Sequence, residues 1–334
     1  DNNSYMKNIL VTGGAGFIGS HTCLALLEKG YNVYVIDSFV NSSPKSLERV
    51  INIYKKKHFD SNLNLNIFKG DLRDKNFVQI VFSDIYKSNR KIDGVIHFAG
   101  LKSVLESKKN PLLYWKTNVL GTLNLLEIMN SYNCLNFVFS SSATVYAQSK
   151  SSLLKEESET GPINPYGNTK LTVEKLLEDI FKSQENECKF VSLRYFNPIG
   201  SHSPGLLGEN PVGIPNNIFP LIINTAAGIQ KELNIYGNDW PTKDGTCVRD
   251  YIHVMDLAEA HIKVLDFLSE ESPTYFNLNV GTGIGTSVIE LVKTFEKVNN
   301  VKINYVFKGR RMGDAPYVVA DNSLSNSKIN ILTK

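Results

Sequence analysis

Val11-Thr12-Gly13-Gly14-Ala15-Gly16-Phe17-Ile18-Gly19 is the stretch that decides the fold. It follows a short apolar run at 8–11 and leads straight into a helical pattern at 20–29. Glycines at such a junction let the backbone turn tightly and come close to a pyrophosphate. The free N–H groups of the helix that follows carry positive partial charge toward it. A second apolar run, 32–36, ends at Asp37, 18 residues after Gly19. A carboxylate there bonds the hydroxyls of an adenosine ribose and repels a 2′-phosphate, which points to NAD over NADP. A glycine triplet alone says little. Gly13, Gly16 and Gly19 gain weight from their place between strand and helix, with the acid downstream.

Working outward, short apolar runs recur at 65–68, 94–98, 136–139 and 190–194, and helical patterns fill the gaps at 76–86, 120–129 and 166–181. Repeated βα units of this kind build a doubly wound parallel sheet of Rossmann type, with ligands beyond the carboxyl ends of the strands. Asp71 and Leu72 end the third strand, where an adenine edge would lie; Phe98, Ala99 and Gly100 end the fourth, with small residues where a cofactor would pass. The polar stretches 54–66 and 148–162 read as loops. After about residue 196 the alternation breaks and Pro198, Gly200, Pro204, Gly205, Gly208, Pro211, Gly213 and Pro215 crowd together. The expectation is an NAD-binding domain over 1–196 and a smaller α/β substrate-binding lobe over 197–334. Segments near 250–267 should return to the first domain.

Composition limits what else the chain can be. At 42% hydrophobic and 21% charged over 334 residues, with net charge +3, it has the makeup of a globular protein with a large core. The run Lys55-Lys56-Lys57 reads as a solvated loop, not a nucleic-acid patch. No apolar run reaches the length of a membrane span, and the apolar sequence from Ile9 is patterned as fold, not as a signal peptide. Cys23, Cys134, Cys188 and Cys247 are scattered without a CxxC, which reads as buried thiols in a reducing compartment, with the cytoplasm as the default location. The six histidines show no metal spacing; His97 is a strand residue, not a ligand, and no metal is expected.

The chemistry centres on two further segments. The fifth strand ends in Ser140-Ser141-Ser142-Ala143-Thr144, and a loop leads to Pro165-Tyr166-Gly167-Asn168-Thr169-Lys170 at the start of a helix. Tyr166 and Lys170 are i and i+4 and share one helical face. A tyrosine keeps its proton to a pKa near 10 (roughly three units above neutrality), so phenolate at neutral pH asks for about 4 kcal/mol. An ammonium beside it and a positive nicotinamide ring both favour the phenolate. Tyr166 is then a general base toward a hydroxyl that Ser142 helps to hold.

With these residues in view, the chain resembles the extended short-chain dehydrogenase/reductases, and among them the UDP-glucose 4-epimerases. The resemblance runs from about Lys7 to Asp321. It rests on TGGAGFIGSHT at 12–22, VIHFAGLK at 95–102, FSSSATVY at 139–146, RYFNP at 194–198, GIPNN at 213–217 and VRDYIHVMDL at 248–257. It implies that Phe17, Ile18, Asp37, Asn41, Asp71, Leu72, Phe98, Ala99, Lys102, Asn118, Tyr166, Lys170 and Phe196 hold NAD. It implies that Ser142, Thr144, Tyr166, Asn197, Asn217, Ile218, Asn234, Tyr236, Arg249, Arg311 and Asp314 hold a UDP-sugar. Arg249 and Arg311 suit that role chemically, as planar, permanently charged forks for a diphosphate. It further implies a homodimer. The implied reaction is reversible hydride transfer at C4 of the sugar through a 4-keto intermediate.

Departures from the family pattern also carry expectations. Ala147 stands for a glycine after Tyr146, and Cys247 for a glycine before Val248; both should affect loops only. Val318 stands where bulk excludes N-acetylated sugars in relatives, so UDP-N-acetylhexosamines become candidate substrates. Relatives carry one more helical segment past Lys334, so the natural chain is expected to extend further. Two rivals stay open. A nucleotide-sugar dehydratase or decarboxylase is one, but a dehydratase needs an acidic pair where Ala143-Thr144 follows Ser142. A non-catalytic NAD-sensing module is the other, although it would have no use for the Tyr/Lys pair.

Overall fold

The computed structural model describes residues 6–59, 61–148, 153–183, 187–203, 205–213 and 215–333. Pro204, Ile214 within the GIPNN string, part of the 148–162 stretch and Lys334 lie outside them. The strand β1 (Asn8–Thr12) is buried at all five positions, as a strand covered on both faces must be. Helix α1 (Phe17–Glu28) is buried almost all round, so it belongs between the sheet and other helices and not on the surface. Next come β2 (Asn32–Asp37), α2 (Pro44–Lys57), β3 (Leu65–Lys69), α3 (Lys75–Lys87) and β4 (Gly94–His97). Helix α2 starts on a Ser43 cap with Pro44 in its first turn. It runs through Lys55–Lys57, so this lysine run closes a helix and is not a loop; Lys57 reaches Glu28 at 2.9 Å. The stretch 54–66 is correspondingly helix at one end and strand at the other.

Short helices α4 (Val104–Lys109) and α5 (Pro111–Tyr114) lead into a wide π turn, Trp115–Leu120, that continues as α6 (Gly121–Ser131). Then follow β5 (Asn136–Ser142), α7 (Pro165–Lys182) and β6 (Lys189–Tyr195). The second lobe begins with β7 (Asn197–Ile199), α8 (Ile218–Ala226), β8 (Leu233–Tyr236), β9 (Val248–Arg249) and β10 (Tyr251–His253). The chain returns through α9 (Val254–Glu270), which packs on α1, and β11 (Thr274–Val280). The last elements are β12 (Thr286–Ser287), α10 (Val288–Asn299), β13 (Tyr305–Lys308), β14 (Tyr317–Val318) and α11 (Ser323–Ile329).

The central sheet has the order β11-β6-β5-β4-β1-β2-β3, and every pairing in it is parallel. The chain moves one way from β1 to β2 and the other way to β4, so the strand order reverses between β1 and β4. That reversal opens the crevice where doubly wound sheets take ligands. The six strands read from the sequence are all present. The seventh, β11, was not among them, and it carries the return into the first domain past 250–267, as far as Val280. Its residues TYFNLNV alternate apolar and polar, so they do not read as a strand covered on both faces. The second lobe is built from small pieces instead: β8 with β13, β9 between β12 and β14, and β7 with β10.

Candidate active site

The glycine loop fits the group expected of it. Gly13 has φ +70°, and a Cβ there would sit 2.7 Å from the Ala99 nitrogen, so β1 and β4 meet with no room for a side chain. A Cβ on Gly19 would lie 2.2 Å from the Gly13 carbonyl oxygen, which makes alanine impossible without moving the loop. Gly16 caps α1 without a side-chain bond, leaving the first turn's N–H groups for an anion. These three glycines form a cradle that a pyrophosphate can enter. Phe17 and Ile18 form the buried first turn of α1 behind it.

Around the crevice stand the other residues expected at NAD. Asp37 ends β2 and accepts from the Ala15 and Phe39 N–H groups (2.9 and 2.8 Å) and from the Ser42 hydroxyl at 3.0 Å, which fixes its carboxylate beside the glycine loop. Asn41 lies exposed on the loop just beyond. Asp71 is gripped by the Arg73 guanidinium, which holds its carboxyl below the usual range and so anionic. Leu72 packs under Gly121. Phe98 and Ala99 follow β4, with Phe98 tilted against His261 at 4.7 Å between ring centroids. Phe196 is buried at the end of β6. Asn118 sits inside the π turn, where its amide clamps both backbone groups of Leu101 at 2.8 and 2.9 Å and donates to the Thr169 hydroxyl at 3.1 Å. A π turn puts this side chain inward one residue out of helical step, tying α6 to the start of α7.

Ser142, Tyr166 and Lys170 come together at the ends of β5 and α7. Pro165 occupies the first helical position, and Asn164 caps it by accepting from the Gly167 N–H at 2.8 Å. The capped turn aims Tyr166 and Lys170 at the strand ends. The Lys170 ammonium donates to the Ser140 carbonyl at 2.9 Å and lies 5.8 Å from the centre of the Tyr166 ring. Ser142 Oγ accepts from both the N–H and the hydroxyl of Thr144, at 3.1 and 3.0 Å. Its own hydrogen is thereby left for the Tyr166 oxygen, a contact that favours the phenolate.

Burial works against both partners. It pushes the Tyr166 phenol up, with Tyr195 and Tyr114 adding to the rise and Ser142 opposing it. It also pulls the Lys170 ammonium down to about 8, helped by the repulsion of Lys102 and opposed by Glu174. The dry setting therefore adds to the roughly 4 kcal/mol that a free tyrosine would ask for phenolate at neutral pH. A positive charge beside the phenol opposes that cost.

The second lobe gathers a separate group. In β8 the buried Leu233 and Ile235 alternate with outward Asn234 and Tyr236. Arg311 stacks over the Tyr236 ring at 5.0 Å and bonds Asp314, which also lies 4.0 Å from Arg249. Arg249 is held by the carbonyls of Val248 and Ala315 at 2.9 and 2.8 Å. Tyr236, Arg249, Arg311 and Asp314 are thus one cluster. Asn197 lies in β7, and Asn217 and Ile218 begin α8.

The sequence reading missed Glu209. It accepts from the Asn217 amide at 2.5 Å, and its carboxyl is pushed up by burial while Asn217 and Lys102 pull it down. Across the same loop, the Asn216 amide donates to Ser103 Oγ at 3.2 Å, joining the loop before α8 to the segment after β4. A lone acid in a glycine- and proline-rich loop carries no periodicity that could have marked it. Among the described residues, no group of three or more His, Cys, Asp or Glu could hold a metal ion.

Comparison with known proteins shows the family of the chain. The family model described as GDP-mannose 4,6 dehydratase matches residues 10–330. UDP-glucose 4-epimerase 2 of Arabidopsis thaliana is 48% identical over 324 residues, covering 97% of this chain and 90% of that protein. The chain is an extended short-chain dehydrogenase/reductase of the UDP-glucose 4-epimerase family. Solved structures of epimerases extend the match. One, from Stenotrophomonas maltophila with bound NAD and formylated UDP-arabinopyranose, has TM-score 0.92 and 40% identity and covers 98% of this chain and 94% of its own. Another, from Bifidobacterium longum in complex with NAD+ and UDP, has TM-score 0.90 and 43% identity with the same coverage.

Proposed function

We propose that this epimerase-family protein interconverts UDP-galactose and UDP-glucose by reversible oxidation at C4 of the sugar. The observation that carries the reading is the buried Ser142–Tyr166–Lys170 trio where β5 meets α7, with a separate arginine cluster in the second lobe. Gly13, Gly16, Phe17, Ile18, Gly19, Asp37, Asn41, Asp71, Leu72, Phe98, Ala99, Lys102, Asn118, Tyr166, Lys170 and Phe196 would hold NAD, which when bound would supply the hydride acceptor and donor for C4 and a positive ring beside Tyr166. Tyr166 accepts the proton of the 4-hydroxyl and returns it in the second half of the cycle. Ser142, oriented by Thr144, holds the oxygen that gains and loses that proton. Lys170 stays cationic beside the phenol and, with the nicotinamide charge, offsets the cost of burial.

Asn197, Asn217, Ile218, Asn234, Tyr236, Arg249, Arg311 and Asp314 hold the nucleotide end, with the two arginines on the diphosphate. The charged anchors sit at that end and leave the sugar ring free to turn about its diphosphate link and present its other face. The division of labour follows the chain: residues 1–196 with α9 and β11 for NAD, the remainder of 197–334 for the UDP-sugar. Dehydration is disfavoured by Ala143 and Thr144, which follow Ser142 where that chemistry needs acids. Incubating the protein with UDP-galactose without added cofactor tests the reading. The expected product is UDP-glucose with no net NADH; a stable 4-keto-6-deoxy sugar would overturn it.

Three finer points belong to the same proposal. UDP-N-acetylhexosamines are substrates because Val318, in β14 beside Arg249, fills little space; absence of turnover with UDP-N-acetylgalactosamine would refute this. The protein acts as a homodimer through the face carried by α5, the π turn and the start of α6, where Leu112, Trp115, Leu120 and Leu123 are exposed. It works in the cytoplasm: Cys23, Cys134, Cys188 and Cys247 are all buried, as suits thiols in a reducing compartment.

A further inference from the structure

Behind the trio lies an ion pair with no place in the mechanism above. Arg194 on β6 and Glu174 on α7 each expose only 3% of their side chains. They meet as a two-pronged fork, Nε to Oε1 at 2.9 Å and one terminal nitrogen to Oε2 at 2.8 Å. The remaining partners are supplied too. Ser141 Oγ donates to Glu174 Oε1 at 2.8 Å, and Arg194 donates to the Glu156 carbonyl at 2.9 Å and lies over the Tyr146 ring at 4.9 Å. Taking two charges out of water is costly, and well-packed apolar side chains of similar volume commonly serve a core as well or better. The pair therefore needs a reason beyond packing.

Its position supplies one. Arg194 is in register with Ser141, the neighbour of Ser142, and Glu174 is one turn beyond Lys170 on the same face of α7. We propose that Glu174, clamped by Arg194, is a positioning residue for Lys170: it fixes the active face of α7 against the end of β5 and keeps the buried ammonium charged. The groups facing Lys170 are Tyr166 and Glu174 from its own helix, His97 from β4, and Lys102 from the segment after β4. Lys102 repels the ammonium and His97 is neutral, so Glu174 is the anion among them. Its bidentate fork to Arg194 and the Ser141 bond hold that carboxylate in one orientation, so its field on Lys170 does not fluctuate.

The inference rests on Lys170 as the partner of the Tyr166 base, and its test separates the two. Lysines carrying ¹³C at Cε are titrated by NMR in the protein as purified with its dinucleotide. The Lys170 signal is identified by its loss in Lys170→Arg. The comparison is wild type against Glu174→Gln and against a double variant, Glu174→Met with Arg194→Met, which removes both charges and keeps an apolar core. Without Glu174 the repulsion from Lys102 is unopposed and the proton leaves earlier. In Glu174→Gln the Lys170 midpoint should fall by about one pH unit, as expected for losing an opposite charge at this range, and in the double variant, which also removes the Arg194 cation, it should fall by less. The alkaline limb of kcat should move with it, while KM for the UDP-sugar stays within about twofold. A double variant that folds with an unmoved Lys170 midpoint would refute the proposal. A midpoint that moves while the rate profile does not would sink the catalytic reading of Lys170 and leave its link to Glu174 standing.

Discussion

The two ends of the cleft are built on opposite terms. At the chemical end Ser142, Tyr166 and Lys170 are 7%, 6% and 5% exposed, set on a strand of the seven-stranded parallel sheet and on the long helix α7 that packs against it. At the nucleotide end Tyr236 is 39% exposed and the Arg311 side chain 52%, on strands of two to four residues and loops. Proton transfer from a hydroxyl needs displaced proton affinities, and a dry site on a rigid sheet supplies them. Gripping a diphosphate needs no displaced affinity, because a guanidinium is always charged, so the proposed grip can lie where water still reaches. Substitutions at the two ends should therefore fail in different ways.

The largest effect is expected at the sealed end. Tyr166→Phe keeps the ring and its packing but removes the acid–base group, so kcat should fall by about 10²–10⁴-fold with KM nearly unchanged. A variant retaining a tenth of wild-type kcat would erase the distinction between the two ends.

Acid should act next, and again on the sheet side. His21, His97 and His261 are buried, and burial pulls them down to about 4, 3 and 4. His21 is further locked as neutral, since its Nε2 accepts from the His202 N–H at 3.1 Å. The folded pKa values lie below the unfolded one, so the unfolded chain takes up protons first as pH drops. This stability is fully present above pH 6.5 and is lost progressively toward pH 4. Each histidine gives about 1.4 kcal/mol per pH unit in that window. Urea midpoints should fall steeply as pH drops below 6.5, and His261→Gln should reduce that slope by about a third.

The smallest effect belongs to the open end. Arg249→Met should raise KM for the UDP-sugar by about ten- to a hundredfold, the worth of a charged hydrogen-bonding fork, with kcat and melting temperature little changed. A fall in kcat as large as that of Tyr166→Phe would mean that this end also takes part in the chemistry.

How much of this could be read from the chain follows the same division. Each βα unit of the sheet announces itself locally, through runs such as Ile9–Leu10–Val11 and the glycine junction after them. Tyr166 and Lys170 are four residues apart, so their shared face follows from helix geometry alone. Helix α2 left a trace as well, since Leu47, Val50 and Tyr54 recur at helical spacing and are its buried residues together with Ile53; the lysine run at its end obscured it. Arg249 and Arg311 stand out only by resemblance, because 62 positions separate them and nothing local joins them. Glu174 looks like any helical acid. Its role depends on the register of β5 with β6, which brings Ser141 beside Arg194, and that pairing has no signature in the sequence.

The central claim is that one carbon is oxidised and reduced again by the same hydride, with Tyr166 cycling a proton. UDP-galactose carrying deuterium at C4 tests it most directly, with the product examined by NMR and mass spectrometry and no cofactor added. The expected product is UDP-glucose with the deuterium still at C4 and none lost to water. Deuterium released to solvent, or a product inverted at C4 without the label, would contradict the claim.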